Sequence, residues 1–242
     1  MRILLLLVSM GLLSVLQASP GDKEFVSKEN AVPLLELFTS EGCSSCPPAE
    51  EWFSQLRQNP ALWKDIVPVA FHVDYWNYLG WSDPYSSSEW SSRQREYSQI
   101  WNARSVYTPE FVVNGHEWRV GKAIPTGSRI GILKLRIRKD GSVDASFSPT
   151  SNSTVHYSVN VAPLICGVSQ LVPRGENAGR TLHHDFVALT LLRGPLAEDS
   201  DGSLAARLTI PPEIATRMDA FAAWMTSGES QIPIQSVGGW VK

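Results

Sequence analysis

The chain is 242 residues long, 43% hydrophobic and 19% charged, with a formal net charge of −3. This is globular composition, long enough for one large or two small domains. The small negative charge argues against a nucleic-acid footprint, and three cysteines are too few for a disulfide scaffold.

Met1-Arg2 followed by the apolar run Ile3 to Leu16 reads as a signal peptide, with Ala18 suited to the last position before cleavage. The run is too short for a comfortable transmembrane helix, so no membrane span is expected after processing. The expected location is periplasmic or secreted, an oxidising compartment where a cysteine pair persists as a disulfide. Residues 19–31 are polar and read as a linker.

Val32 to Phe38 reads as a buried strand, apolar on both faces except at Glu36. Cys43-Ser44-Ser45-Cys46 follows. Behind it Ala49, Trp52, Phe53 and Leu56 fall at i, i+3, i+4 and i+7, one face of a helix. Pro47 and Pro48 fit only its first turn, where a missing N–H costs nothing. A cysteine at a helix N-terminus meets unpaired N–H groups and the positive end of the helix dipole, which favour the reactive thiolate. Two cysteines at this spacing can also close a disulfide. A purely structural staple fits the same residues, whereas zinc would need a second ligand pair.

Ile66 to Val73 reads as a second buried strand. An aromatic segment follows, from Asp74 through Tyr75, Trp76, Tyr78, Trp81 and Tyr85 to Trp90; seven of the nine tryptophans lie between Trp52 and Trp118. His72 and Asp74 alternate about Val73, but no further metal ligand is evident nearby. Glu89 to Ala103 reads as a helix. Asn114-Gly115 between Phe111–Val113 and Glu117–Val120 signals a hairpin. Thr126 to Arg138 is expected to be a last helix, although Gly127 and Gly131 weaken it. From Asp140 onward, short alternating runs separated by turns indicate a β-rich second domain. His183-His184-Asp185 is expected at a surface turn, and Cys166 as a buried free thiol.

The order β-α-β-α-β-β-α, a Cys-x-x-Cys helix start and Thr108-Pro109 before the third strand resemble the thioredoxin superfamily. More specifically, the chain resembles the secreted bacterial family called domain of unknown function 1223. The matching stretches are Leu35–Pro48, Phe71–Trp81, Thr108-Pro109 and Arg174–Leu182. The resemblance implies an α/β thioredoxin-like domain with a mixed sheet over residues 32–139, carrying an aromatic insertion. A sandwich-like β domain would then cover 140–242. It also implies a cis Thr108–Pro109 bond facing the cysteines. Gly42 departs from the thioredoxin pattern, which has tryptophan there.

On this reading Cys43 is the nucleophile and Cys46 resolves the mixed disulfide. Thr108 and Pro109 position a substrate backbone. Glu36 is a candidate proton acceptor, although the thioredoxin acid aligns with Leu37 on the opposite face, so a structural pair with an arginine or a backbone amide is the stronger expectation. Trp76 and Trp81 could line a groove. Arg180 and Glu176 are expected to pair and dock the two domains. The expected activity is thiol–disulfide exchange on protein thiols or disulfides, without a cofactor or metal. The alternative is a non-catalytic exported binding module in which the disulfide is a staple.

Overall fold

The computed structural model describes residues 22–151, 155–199 and 203–242; the expected signal peptide over 1–18 lies outside the described residues. In chain order the elements begin with β1 (Lys23–Val26), β2 (Leu34–Thr39), α1 (Pro47–Ser54), β3 (Val67–Val73), β4 (Ser86–Ser87), α2 (Ser88–Ile100), β5 (Glu110–Val113) and β6 (His116–Trp118). They continue with β7 (Gly131–Ile137), β8 (Ser142–Pro149), β9 (Tyr157–Ile165), β10 (Val168–Leu171), β11 (Thr181–His184), β12 (Val187–Ala188), β13 (Leu192–Glu198) and β14 (Leu204–Thr209). The last are α3 (Pro212–Ala215), β15 (Ala220–Ser227) and β16 (Gln235–Trp240). No helix among the described residues is long and apolar enough to cross a membrane.

These elements correct the expected architecture. Among the described residues 42% are strand and 15% helix, and 14 strands join one mixed sheet, so it is not a thioredoxin-like α/β domain followed by a separate sandwich. The expected helix over 126–138 is largely β7. Its Ile-Leu-Lys-Leu-Arg-Ile run alternates, with Leu133, Leu135 and Ile137 buried and Lys134 and Arg136 turned outward. That is the period of a half-buried strand. β7 pairs with β8 across a turn at Asp140-Gly141, the expected domain boundary, and with β1, which falls in the expected linker.

At one end of the sheet β2 is central, parallel to β3 and antiparallel to β5, with β6 beyond. Its sequence, apolar but for Glu36 and Thr39, suits a strand buried on both faces. The β5–β6 hairpin turns at Asn114 (φ 47°) and Gly115 (φ 78°), the left-handed pair expected of Asn-Gly.

Two apolar cores flank β15. Ala220, Ala222 and Trp224 face the core shared with β2, β3 and the two longer helices, while Phe221, Ala223 and Met225 face the core beneath β7 and β8. Alternation along one strand with two buried faces therefore joins the halves. β10 and β11 form a hairpin apart from the large sheet. Its tip, residues 172–180, lies over the cysteine loop.

Candidate functional site

The loop from Ser40 to Cys46 joins the end of β2 to the start of α1. Cys43 N–H donates to the Ser40 carbonyl (3.1 Å), Cys46 N–H to the Cys43 carbonyl (3.2 Å), and Glu50 N–H to the Cys46 carbonyl (3.1 Å). The chain thus winds directly into the helix. Cys43 and Cys46 form a disulfide, with Cα atoms 5.4 Å apart, within the range this bond requires. Both cysteines, including the expected nucleophile Cys43, are 0% exposed, while Ser44 and Ser45 between them are exposed.

The Thr108–Pro109 bond is cis and lies beside the pair. Ser45 Oγ is 3.3 Å from Cys43 Sγ and donates to the Thr108 carbonyl at 3.5 Å. Trp76 Nε1 donates to Thr108 Oγ1 (2.8 Å), and Trp76 Cβ would lie only 2.8 Å from a Cβ at position 42. Gly42 is therefore required by the close approach of Trp76, whose indole reaches the site from another segment. Trp81 Nε1 donates to Glu41 Oε2 at 2.6 Å. Both tryptophans proposed as groove residues thus belong to the walls of the cysteine loop. Two clefts, of about 670 and 760 Å3, lie elsewhere; the first is lined by Trp52, Leu56 and Trp118.

Glu36 is not joined to the cysteines by any hydrogen bond. Its Oε2 accepts from Arg93 Nε (2.6 Å) and its Oε1 from Tyr97 OH (2.6 Å), and all three residues are buried. The structural pairing with an arginine is what forms. Burial disfavours the Arg93 cation, but the Glu36 carboxylate outweighs it and raises the guanidinium further above its ordinary value.

The hairpin tip supplies one residue that sequence reading passed over, Asn177. Asn177, 0% exposed, donates from Nδ2 to the Glu41 and Cys43 carbonyls, each at 2.9 Å. Glu176 accepts from Ser44 N–H (3.0 Å), and Arg180 donates to Asn177 Oδ1 (2.8 Å). The expected Arg180–Glu176 pair is replaced by these contacts. The signal was the polar block Arg174–Leu182, singled out with no chemistry attached.

Two histidines lie buried behind the loop. His72, near the end of β3, pairs through Nδ1 with Asp83 (2.7 Å) rather than Asp74, which instead accepts from Ser91. His184, the last residue of β11, was expected at the surface, yet it is 1% exposed. The alternation of β11, with Leu182 and His184 inside and His183 outside, carried that signal. His184 Nε2 meets Glu41 Oε1 at 3.1 Å and Nδ1 meets Glu50 Oε2. Burial would lower the His184 pKa, but hydrogen bonds and charge from the two carboxylates raise it to about 10. Asp83 lies below the ordinary carboxylate range: burial opposes this, and the His72 ring with the N–H groups of Glu41 and Tyr85 overcomes it.

Glu110, next to Pro109, is pushed up to about 7 by burial, against the hydrogen bond from Gln94 Nε2 (2.7 Å) and with help from the charges of Glu117 and Glu36. A carboxyl raised in the folded state stabilises the fold while protonated. That contribution is complete below the ordinary value of 4.5 and is lost as pH rises through about 7. Between about pH 5 and pH 8 the Tm of the wild type should fall about 2–4 °C more than that of Glu110→Gln, equivalent to about 1 kcal/mol in a chain this size. Parallel thermal melts of the two proteins would show it, and equal slopes would refute it.

A family model described as "Protein of unknown function (DUF1223)" matches residues 34–226. No curated protein matches the chain. Among solved structures it is similar to protein AGR_C_4864 from Agrobacterium tumefaciens, at 21% identity over 88% of this chain and 93% of that one, with a TM-score of 0.59. It is also similar to HBP35 of Porphyromonas gingivalis, at 14% identity over 88% of this chain and 76% of that one, with a TM-score of 0.60. At such identities the likeness is one of fold alone.

Proposed function

The chain belongs to the family of that description, DUF1223, and we propose that it is an exported thiol–disulfide oxidoreductase whose working group is the Cys43–Cys46 pair. The observation that carries this reading is the closed disulfide at the N-terminal end of α1, with Ser45 Oγ between Cys43 Sγ and the Thr108 carbonyl. A substrate thiolate attacks Cys43 Sγ, forming a mixed disulfide and releasing Cys46 as a thiolate at the helix N-terminus. A second substrate thiolate then attacks the substrate sulfur of the mixed disulfide. The substrate leaves as a disulfide, Cys43 leaves as a thiolate, and two electrons have passed to the protein. Exchange with another disulfide of the same compartment returns it to the closed form. Because Cys43 is covered, attack requires Ser44-Ser45 to swing outward. Protein thiols or disulfides are the proposed substrates, and the periplasm or the exterior is the proposed location.

Burial of both cysteines favours a second reading, a binding module stapled by the disulfide, with the aromatic segment as working surface. A redox titration in glutathione buffers, followed by thiol alkylation, mass and near-ultraviolet circular dichroism, separates the two. The exchange reading predicts reduction of Cys43–Cys46 with the fold intact and loss of dithiol-peptide oxidation in Cys43→Ser. Reduction only on unfolding, or unchanged activity in Cys43→Ser, would support the staple. Cys166 is the internal control. Burial raises its thiol to about 12, so it should remain unreactive in the native protein throughout.

A further inference from the structure

The buried histidines make a second centre, separate in chemistry from the cysteine pair. Glu50 on α1, His72 on β3 and His184 on β11 each place a ligand atom within 4.8 Å of the others. All three are buried. The imidazole rings meet edge to face, with centroids 4.9 Å apart and an interplanar angle of 83°, and the Tyr85 ring packs against both.

The surrounding hydrogen bonds determine what each ring nitrogen can do. An ionised carboxylate only accepts, so the His72 nitrogen facing Asp83 carries its proton on Nδ1. His72 Nε2 is buried and has no hydrogen-bond partner. Leaving such an atom unsatisfied costs about 1–3 kcal/mol. On His184, Nε2–H donates to Glu41 Oε1, and Nδ1 faces Glu50. A metal-bound histidine commonly donates its other N–H to a carboxylate, which fixes the tautomer and aims the free nitrogen. Asp83 stands in that relation to His72, and Glu41 to His184. Thr39 Oγ donates to the second Glu50 oxygen, as ligating carboxylates also require.

A simple cluster of ion pairs accounts for His184 but not for His72 Nε2. It also leaves three buried carboxylates, Glu41, Glu50 and Asp83, around two imidazoles. We propose that His72 Nε2, His184 Nδ1 and a Glu50 carboxylate oxygen bind one divalent transition-metal cation of the zinc class. Asp83 and Glu41 act as the orienting partners of the two rings. Two imidazoles and one carboxylate are a donor set such ions accept. Bonds of about 2.0–2.2 Å to a tetrahedral ion put its donors about 3.3–3.5 Å apart. To reach that spacing the His184 Nδ1–Glu50 hydrogen bond opens, while His72 Nε2, within 4.8 Å of both, closes in. Binding releases the proton shared by His184 Nδ1 and Glu50 and satisfies His72 Nε2 in the same step, leaving a fourth position for water.

The test uses the full chain, freed of metal with a chelator and dialysed. Zn2+ is titrated calorimetrically, stoichiometry is measured by mass spectrometry of the bound metal, and Co2+ provides an absorption spectrum that reports ligand geometry. The expected result is one Zn2+ per chain, a raised Tm and a tetrahedral-type Co2+ spectrum. Affinity should fall at least about 100-fold in His72→Gln, whose amide can still bond Asp83, and about 10–100-fold in Asp83→Asn. His183→Ala, on the outer face of β11, and the Cys43→Ser/Cys46→Ser double variant should both retain the stoichiometry. Circular dichroism verifies that His72→Gln is folded, and if it is not, Glu50→Gln takes its place. No stoichiometric binding by the wild type would overturn the proposal. So would binding unchanged in the folded ligand variant, or binding lost with the cysteines. Since the cysteine double variant is expected to bind metal but not to exchange thiols, failure here and failure of the redox reading are distinguishable.

Discussion

Arg93→Leu is expected to destabilise the protein by about 3–5 kcal/mol, the cost of removing one partner from a buried ion pair. Arg93 is 2% exposed and Glu36 is 0% exposed. Its Nε binds Glu36 and its Nη2 donates to Tyr97 OH at 2.9 Å, while Tyr97 OH donates to the other Glu36 oxygen. The three side chains close a ring of hydrogen bonds. The guanidinium also lies 5.0 Å from the Trp224 ring centroid, 5.2 Å from that of Tyr97 and 5.6 Å from that of Phe71. Leucine fills part of the volume but strands a carboxylate in the core with one hydroxyl for company. The penalty is therefore mainly desolvation of Glu36, so Glu36→Leu together with Arg93→Leu should recover most of the loss. Urea unfolding of Arg93→Leu, Glu36→Leu and the double variant measures this cycle. A single-variant cost below about 1 kcal/mol would mean that the pair is more solvated than its geometry implies.

The same cluster explains why part of the chain could be read in sequence and part could not. Local signals carried well. The strand with one charge at Glu36, the helical face behind Pro48 and the Asn114-Gly115 turn are all set by short-range periodicity or turn chemistry, and they stand where expected. The alternation of Ile132 to Ile137 was equally legible, and reading it as a helix was an error of period. The partners were not legible. Arg93 lies 57 residues from Glu36, and Asn177 lies 134 from Cys43. Such contacts depend on which strands become neighbours, and that follows from β15 serving two cores at once. His184 shows the limit most plainly. The hydrophilic triplet around it looks like a turn, yet α1 packs against β11 and turns the ring inward between two glutamates. The oxygen-rich cluster behind the cysteines could be recognised only after residues 41, 50, 72, 83 and 184 had been brought together.

Asn177→Ala is expected to cost about 1–3 kcal/mol, because it leaves the buried Glu41 carbonyl without its donor and the Cys43 carbonyl with only the Cys46 N–H. Its second consequence concerns the disulfide. The two Nδ2 hydrogen bonds tie the hairpin tip to the cysteine loop, and Glu176 adds a third tie at Ser44. Access to Cys43 requires outward motion of the loop, and where that motion carries the chain from Glu41 to Ser44 it breaks these contacts. The free energy of that local opening therefore contains their net worth. Removing the Asn177 bonds lowers it, and each 1.4 kcal/mol is about tenfold in the open population. In Asn177→Ala the rate of Cys43–Cys46 reduction by dithiothreitol, measured well below the unfolding transition, should rise at least about tenfold. Asn177→Asp should do the same or more, since an acceptor then faces two carbonyls. Glu176→Ala, an exposed single contact, should change it by less than about threefold. An unchanged rate in Asn177→Ala, despite lower stability, would show that the disulfide is reached by another route. A rate that rises only in proportion to global unfolding would place the disulfide among the structural staples rather than at a gated redox site.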